Sequence, residues 1–257
     1  MAIEENREGN VVELKLNFNT DNTLTEDALN EFADVLQKYS KDEKLKVLIL
    51  SSASSNYFSN GLDPNLFVGA DEETVKEKFR MIGRSSNALM FFPVPVIMMI
   101  EGHCMAMGAA YAISCDYRFM ADGAGRIGFP EALISMLFPV LPTVMLKEIV
   151  GLNNAKQLLY SGRAVKAKDA HDIGLVDEVY AAADIKQKTW AFAQRLEKHT
   201  REALSGIKQS MRAYPYQHAI DTTGDWDLEQ IGRTVASDNA QEGFKSILEK
   251  RRPVFKD

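Results

Sequence analysis

The stretch PVIMMIEGHCMAMGAAYAISCDYRFMAD, residues 95–122, limits the possible fold more than any other part of the chain. Its first segment, PVIMMIEG, is a short unbroken apolar run bounded by Pro and Gly, the pattern of a strand buried on both faces. AMGAAYAISC follows with mostly small side chains, which suits a helix packed tightly on its neighbours. DYRFMAD reads as another strand. A strand, a close-packed helix and a second strand in direct succession call for a layered α/β core.

The N-terminal part repeats that logic. NVVELKLNF alternates apolar and polar residues and predicts a strand, LTEDALNEFADVLQKYS carries apolar residues at helical spacing after a Thr start, and KVLILSS predicts a buried strand. EETVKEKFRMIGRSSNALMFF predicts a second helix. From about residue 141 the pattern becomes mostly helical: PTVMLKEIVG, NNAKQLLYSG, AKDAHDIG, and two long amphipathic stretches, IKQKTWAFAQRLEKH and TTGDWDLEQIGRTVASDNAQEGFKSILEKR. No repeat or loose linker interrupts this order. The expected organisation is an α/β core over residues 1–195 and a helical C-terminal region over 196–257.

Composition narrows the partners. With 257 residues, 46% of them hydrophobic, the chain can bury one large core or two modest ones, and its net charge of -6 gives no electrostatic reason to expect nucleic acid or an anionic membrane. MAIEENREGN is acidic and polar where a signal peptide needs a basic start and an apolar run, so a cytoplasmic chain is expected. The longest apolar stretch, ALMFFPVPVIMMI, is too short to span a bilayer. Cys104 and Cys115 lie in apolar surroundings without a Cys-x-x-Cys pattern, which predicts reduced core thiols and no metal site.

GAGRIG, Gly123 to Gly128, matches the Gly-x-Gly-x-x-Gly dinucleotide fingerprint, but an aromatic and a proline follow where the helix should begin. A flexible turn is the better expectation. Two other segments converge on one chemistry. NYFSNGLDPNLF places Gly61 after a buried strand, where a backbone without a side chain lets a ligand carbonyl approach the amide of Leu62. The small-residue turn before AMGAAYAISC leaves free N-H groups near Met107 and Gly108 at a helix start, where they favour negative charge. Two such donors form an oxyanion hole. GRIGFPEALISMLFP then sets a lone acid, Glu131, at the head of an apolar segment; its residues fit either a favourable charge in a first helical turn or a base in a dry pocket.

Five ordered blocks now give a resemblance. YFSNGLD is similar to a Phe-Ser-x-Gly-x-Asp segment, PVIMMIEGHCMAMGAAYAISCDYRFMAD to a central strand, glycine-rich turn and helix, and VVELKLNFNTDNTLTEDALNEFADVL, SGRAVKAKDAHDIGLVDEVY and SDNAQEGFKSILEKRRPVFKD to three further signatures of the crotonase, or enoyl-CoA hydratase/isomerase, superfamily. The resemblance covers nearly the whole chain. It implies a spiral of repeated ββα units with a C-terminal helical trimerisation region, acyl-CoA thioesters as substrates, no cofactor beyond the coenzyme A of the substrate, and homotrimers or dimers of trimers. It also implies that the amides of Leu62 and Met107 hold a thioester enolate, with Ser59, Gly61, Asp63, Gly108, Phe129 and Phe138 as the expected substrate-contacting set.

The departures from the family pattern decide the expected reaction. Hydratases of the family use two glutamates; here the first position falls on Ala110 and the second on Glu131, after a loop one residue longer. One carboxylate suffices to take a proton from C2 and return it to C4 of a 3-enoyl thioester, whereas an alanine cannot activate water. The resemblance therefore points to a Δ3,Δ2-enoyl-CoA isomerase with Glu131 as its acid and base, its pKa raised by an apolar lining drawn from Phe129, Ile134, Leu137 and Phe138. Another enzyme of the same scaffold, such as a hydratase, decarboxylase, hydrolase or dehalogenase, and a non-catalytic acyl-CoA-binding member are the alternatives. Asp63 reads as a turn or capping residue, or else a second base. His103 is either packed or a ligand contact. Met98, Met99 and Met105 are expected as core filler. Met107 is expected to narrow the acyl pocket, and Lys250, Arg251 and Arg252 to end a helix in solvent or to reach CoA phosphates.

Overall fold

The computed structural model describes residues 2–256, apart from the side chains of Ala213 and Tyr214. Three successive turns of chain share one plan: a strand in a large sheet, a short strand in a small sheet, then a helix. β1 (Ile3–Glu8) and β2 (Val11–Leu16) form an antiparallel hairpin that leads into α1 (Glu26–Ser40). The first full turn is β3 (Val47–Ser52), β4 (Tyr57–Ser59) and α2 (Glu72–Met90); the second is β5 (Val96–Ile100), β6 (His103–Met105) and α3 (Met107–Ser114). The third is β7 (Tyr117–Asp122), β8 (Arg126–Gly128) and α4 (Val140–Ser161), followed by β9 (Ala164–Lys166), α5 (Ala167–Asp172), β10 (Glu178–Ala181) and α6 (Ile185–Glu197). α7 (Arg201–Lys208), a π-helical turn, α8 (Tyr214–Val235) and α9 (Asp238–Leu248) complete the chain.

The six-stranded sheet runs β1-β2-β3-β5-β7-β10, parallel throughout except for the first hairpin, and the four-stranded sheet runs β4-β6-β8-β9. β3 and β5 are buried at every residue, as parallel strands covered on both faces must be. One main core lies between the sheets and helices α1 to α5, α8 and α9, and a smaller one, around Val47, Ile97 and Trp190, seats α6 on the outer face of the large sheet. Local signals explain the helix starts. Thr25, Asp71, Thr200 and Ser237 each cap a helix by accepting the N-H three residues on.

Three expectations need correction or addition. The acidic segment at the N-terminus forms β1, missed because only Ile3 of its six residues is buried and an edge strand needs no apolar alternation. The region after residue 141 is mostly helical, as expected, with two added strands, β9 and β10, too short to show a period, of which β10 extends the large sheet. GAGRIG is a turn only in its first half. Arg126–Gly128 is β8, and a Cβ on Gly125 would lie 2.8 Å from the carbonyl oxygen of Gly102, so this glycine serves a close strand crossing. Two predicted helices, PTVMLKEIVG and NNAKQLLYSG, are joined in α4 across a kink at Gly151, which has φ 74°.

Candidate active site

Gly61 and Ala106 bring the two predicted donors together. Gly61 has φ +95°, and a Cβ there would stand 2.8 Å from Ala106 Cβ and 3.5 Å from the Met107 nitrogen, so the loop after β4 lies directly against the turn before α3. Ala106 is held at φ 49°, ψ -118°, a backbone region that disfavours side chains, and such strain gathers at functional sites. Leu24 bonds to this loop through Gly61 O and Asp63 N, which turns the intervening Leu62 N-H the other way. Met107 is the first residue of α3, where an N-H has no partner within the helix. Among the described residues neither amide donates to a protein acceptor.

Both residues line a cleft of about 960 Å³ bounded by α2, α3, α4 and α8. Glu131 enters it from a four-residue 3-10 turn, Glu131–Ile134, behind Pro130. Its side chain is 8% exposed and, among the described residues, its Oε2 is enclosed without a hydrogen-bond partner. Removal from water pushes its pKa up to about 7, opposed weakly by its own backbone N-H. A charge placed only to help a helix start would face solvent or the first amides. Glu131 is turned from solvent and meets only its own amide, so the dry-pocket alternative is the one its surroundings favour.

Ala110 faces the same cleft one turn along α3, leaving no carboxyl opposite Glu131 from that helix. Asp227 also reaches the wall, but its two oxygens accept the Val140 N-H at 3.1 and 2.9 Å, capping α4 from α8. Ile134 and Phe138 line the cleft; Phe129 is fully buried behind it with its ring 5.2 Å from that of Phe138, edge to face.

The other expected residues stand in supporting positions. Ser59 is fully buried, donates to Asn22 O at 2.7 Å and accepts from Gly61 N at 3.2 Å, fixing the loop that carries Leu62. Gly108 is where that loop packs on α3: a Cβ there would lie 2.9 Å from Ser59 Cβ. Asp63 caps the short helical turn that follows, accepting from Asn65 N at 2.9 Å. His103 packs on Tyr57 with ring centroids 5.4 Å apart. Arg251 is held by Glu242, Nη2 to Oε2 at 2.8 Å, at the end of α9. Met98 and Met99 are core, as expected, whereas Met105 belongs to the cleft with Met90, Met136 and Met145. A methionine flanked by small residues carries no mark of this in sequence. Cys104 and Cys115 are buried and unlinked, their thiols raised by burial, Cys115 to about 12.

The spiral of ββα turns, with two free amides and one dry carboxyl lining a single cleft, defines an α/β scaffold suited to stabilising an enolate. The chain belongs to the enoyl-CoA hydratase/isomerase family, within the crotonase superfamily; the family's sequence profile matches residues 6–257. It is 28% identical over 237 residues to YngF of Bacillus subtilis, a protein named for enoyl-CoA hydratase/isomerase chemistry, covering 91% of this chain and 90% of that one. It is 27% identical over 239 residues to the short-chain-enoyl-CoA hydratase of Clostridium acetobutylicum, covering 90% and 88%. The fold matches the crystal structure of human mitochondrial Δ3,Δ2-enoyl-CoA isomerase with a TM-score of 0.91 at 23% identity, over 97% of this chain and 98% of the other.

Proposed function

We propose that this protein is a Δ3,Δ2-enoyl-CoA isomerase in which Glu131 is the single proton carrier. The observation that carries the reading is the isolation of Glu131: a buried carboxyl whose Oε2 has no partner among the described residues, in one cleft with two unengaged amides, and with Ala110 where a second acid would stand. The thioester oxygen accepts from the Leu62 and Met107 N-H groups. Ionised Glu131 removes a proton from C2, the electron pair moves into the thioester carbonyl as a dienolate, and the resulting acid returns the proton to C4. The double bond passes from C3=C4 to C2=C3 with atoms and charge balanced by the protein's own groups. A pKa near 7 suits both halves of this shuttle, since the group must give and take the same proton near neutral pH.

The hydratase name of the Clostridium relative supports a second reading, water addition to 2-enoyl-CoA. Turnover of 3-enoyl-CoA and hydration of 2-enoyl-CoA, each followed through the conjugated thioester absorbance, separate the two. Isomerisation that disappears in Glu131→Gln, with little hydration in either protein, supports the proposal; hydration faster than isomerisation in the wild type overturns it.

A further inference from the structure

α2 and α8 cross along a seam that is closed at one end and open at the other. At the closed end, Gly232 of α8 fits against α2 so tightly that a Cβ would lie 2.9 Å from Lys76 Cε and 3.2 Å from Glu72 O. Lys76 Nζ also pairs with Glu229 at 2.7 Å. Passing from Glu229 to Gly232 therefore moves back along α2 toward Glu72, so the helices run antiparallel. Two turns of α8 before Gly232, at the rise of an α-helix, lies Gly224, at the level of Ile82 and Gly83.

Gly83 and Gly224 are glycines of a different kind. A Cβ at Gly83 would meet nothing within 4 Å, and one at Gly224 would meet only Ile220 Cγ2 at 4.0 Å. Neither has a positive φ. Each sits inside a long helix, where glycine costs about 1 kcal/mol relative to alanine, and neither the backbone nor close packing requires it. Both line the cleft that holds Glu131, among Phe79, Ile82, Leu228 and Ile231. What the two glycines preserve is empty space, in a mainly apolar cleft whose wall also carries Arg80, Arg84, Asp221 and Asp225.

We propose that Gly83 and Gly224 set the acyl-chain length this protein accepts, keeping open an aliphatic channel between α2 and α8 for medium- to long-chain acyl thioesters. The inference rests on the acyl-CoA reading of the cleft but not on Glu131 chemistry. Calorimetric binding of butyryl-, octanoyl- and dodecanoyl-CoA to the full chain tests it independently of turnover. The wild type should bind dodecanoyl-CoA at least about tenfold more tightly than butyryl-CoA, since each added methylene buries apolar surface. Gly83→Leu and Gly224→Leu should each cut that ratio by about tenfold, the scale at which a filled hydrophobic pocket discriminates. Gly83→Ala, a better helix former, should raise Tm while narrowing the ratio less. Equal weakening at every chain length would show a merely structural role, and an unchanged ratio in both leucine variants would show that the channel is not used; either overturns the proposal. Length-dependent binding without isomerase turnover would remove the Glu131 reading and leave the channel standing. Turnover indifferent to chain length would do the reverse.

Discussion

The two ends of α3 are built on opposite rules. At its C-terminus the last carbonyls meet cations: Arg212 donates to Ser114 O and Cys115 O at 2.6 Å, and Arg118 donates to Cys115 O at 2.8 Å. Asp116 then ties Lys208 at 2.7 Å and Arg212 at 3.3 Å, and also accepts the Val96 N-H at 2.7 Å. At the N-terminus, the Met107 amide is free and the nearby acid, Glu131, has no partner for its enclosed oxygen. Positive charge at a helix C-terminus favours the fold. Unsatisfied donors and a dry acid work against it, so one end of a single short helix favours the fold and the other, where the reaction is proposed to take place, opposes it. The difference supports the proposed placing of the site at the N-terminal end.

The largest effect should come from the unpaired end. Glu131→Gln should lower isomerase kcat by about a thousandfold, the usual weight of a positioned proton carrier, without changing the circular dichroism of the fold. Rates within tenfold of wild type would remove Glu131 from the chemistry and dissolve the contrast. At the paired end, Lys208→Met leaves Asp116 with less compensation and should cost about 3 kcal/mol in denaturant unfolding, with kcat per folded molecule retained. Burial lowers the Lys208 pKa even beside Asp116, which marks the ion pair as one that partner loss should expose.

The same contrast has a pH signature. The Glu131 carboxyl titrates near 7 in the folded state, above its ordinary value of 4.5, so the folded protein holds a proton that the unfolded chain has released. Its contribution to stability is therefore fully present below about 4.5 and is lost as pH rises through about 7. Relative to Glu131→Gln, the wild type should lose on the order of 3 kcal/mol between pH 4 and pH 8, at most, from a shift of this size. Unfolding curves of the two proteins that stay parallel across that range would mean that the carboxyl is wetter than its surroundings indicate. A smaller loss, about 1.5 kcal/mol, is expected for Arg212→Gln, which gives up charge-assisted bonds to two carbonyls while Arg118 keeps one of them.

Sequence reveals these two ends unequally. The strand, small-residue helix and strand of residues 95–122 were readable because burial on both faces leaves an unbroken apolar run, and YFSNGLD and the turn before Met107 mark backbone geometry directly. Glu131 and the apolar residues that follow it, Ile134 and Phe138 among them, could be read, but not the arrival of α2 and α8 from distant parts of the chain to complete the cleft. The C-terminal plug was unreadable for the same reason. Lys208 and Arg212 look like surface charges, and only the return of α7 and the π-helical turn to the carbonyls of Val94 and Ser114 buries the first and half-buries the second. Likewise Ser59, Gly108 and Phe129 are buried outside the cleft lining: a motif shows that a residue matters to a loop, not which side of the loop faces the cleft.

The finest test moves charge to the reactive end. Ala110→Glu places a second carboxyl on the cleft face of α3, where the native chain has none. Two carboxyls sharing an apolar site cannot both ionise easily, so the pair should titrate with its upper apparent pKa raised. The alkaline-rising limb of isomerase kcat/KM should move up by about one pH unit, a shift worth roughly 1.4 kcal/mol. If the new acid also orients water, hydration of 2-enoyl-CoA should rise while isomerisation at pH 7 falls. A profile that does not move would place Ala110 too far from Glu131 for the two positions to act on one substrate, and the isomerase reading would then lose its explanation for why one acid is enough.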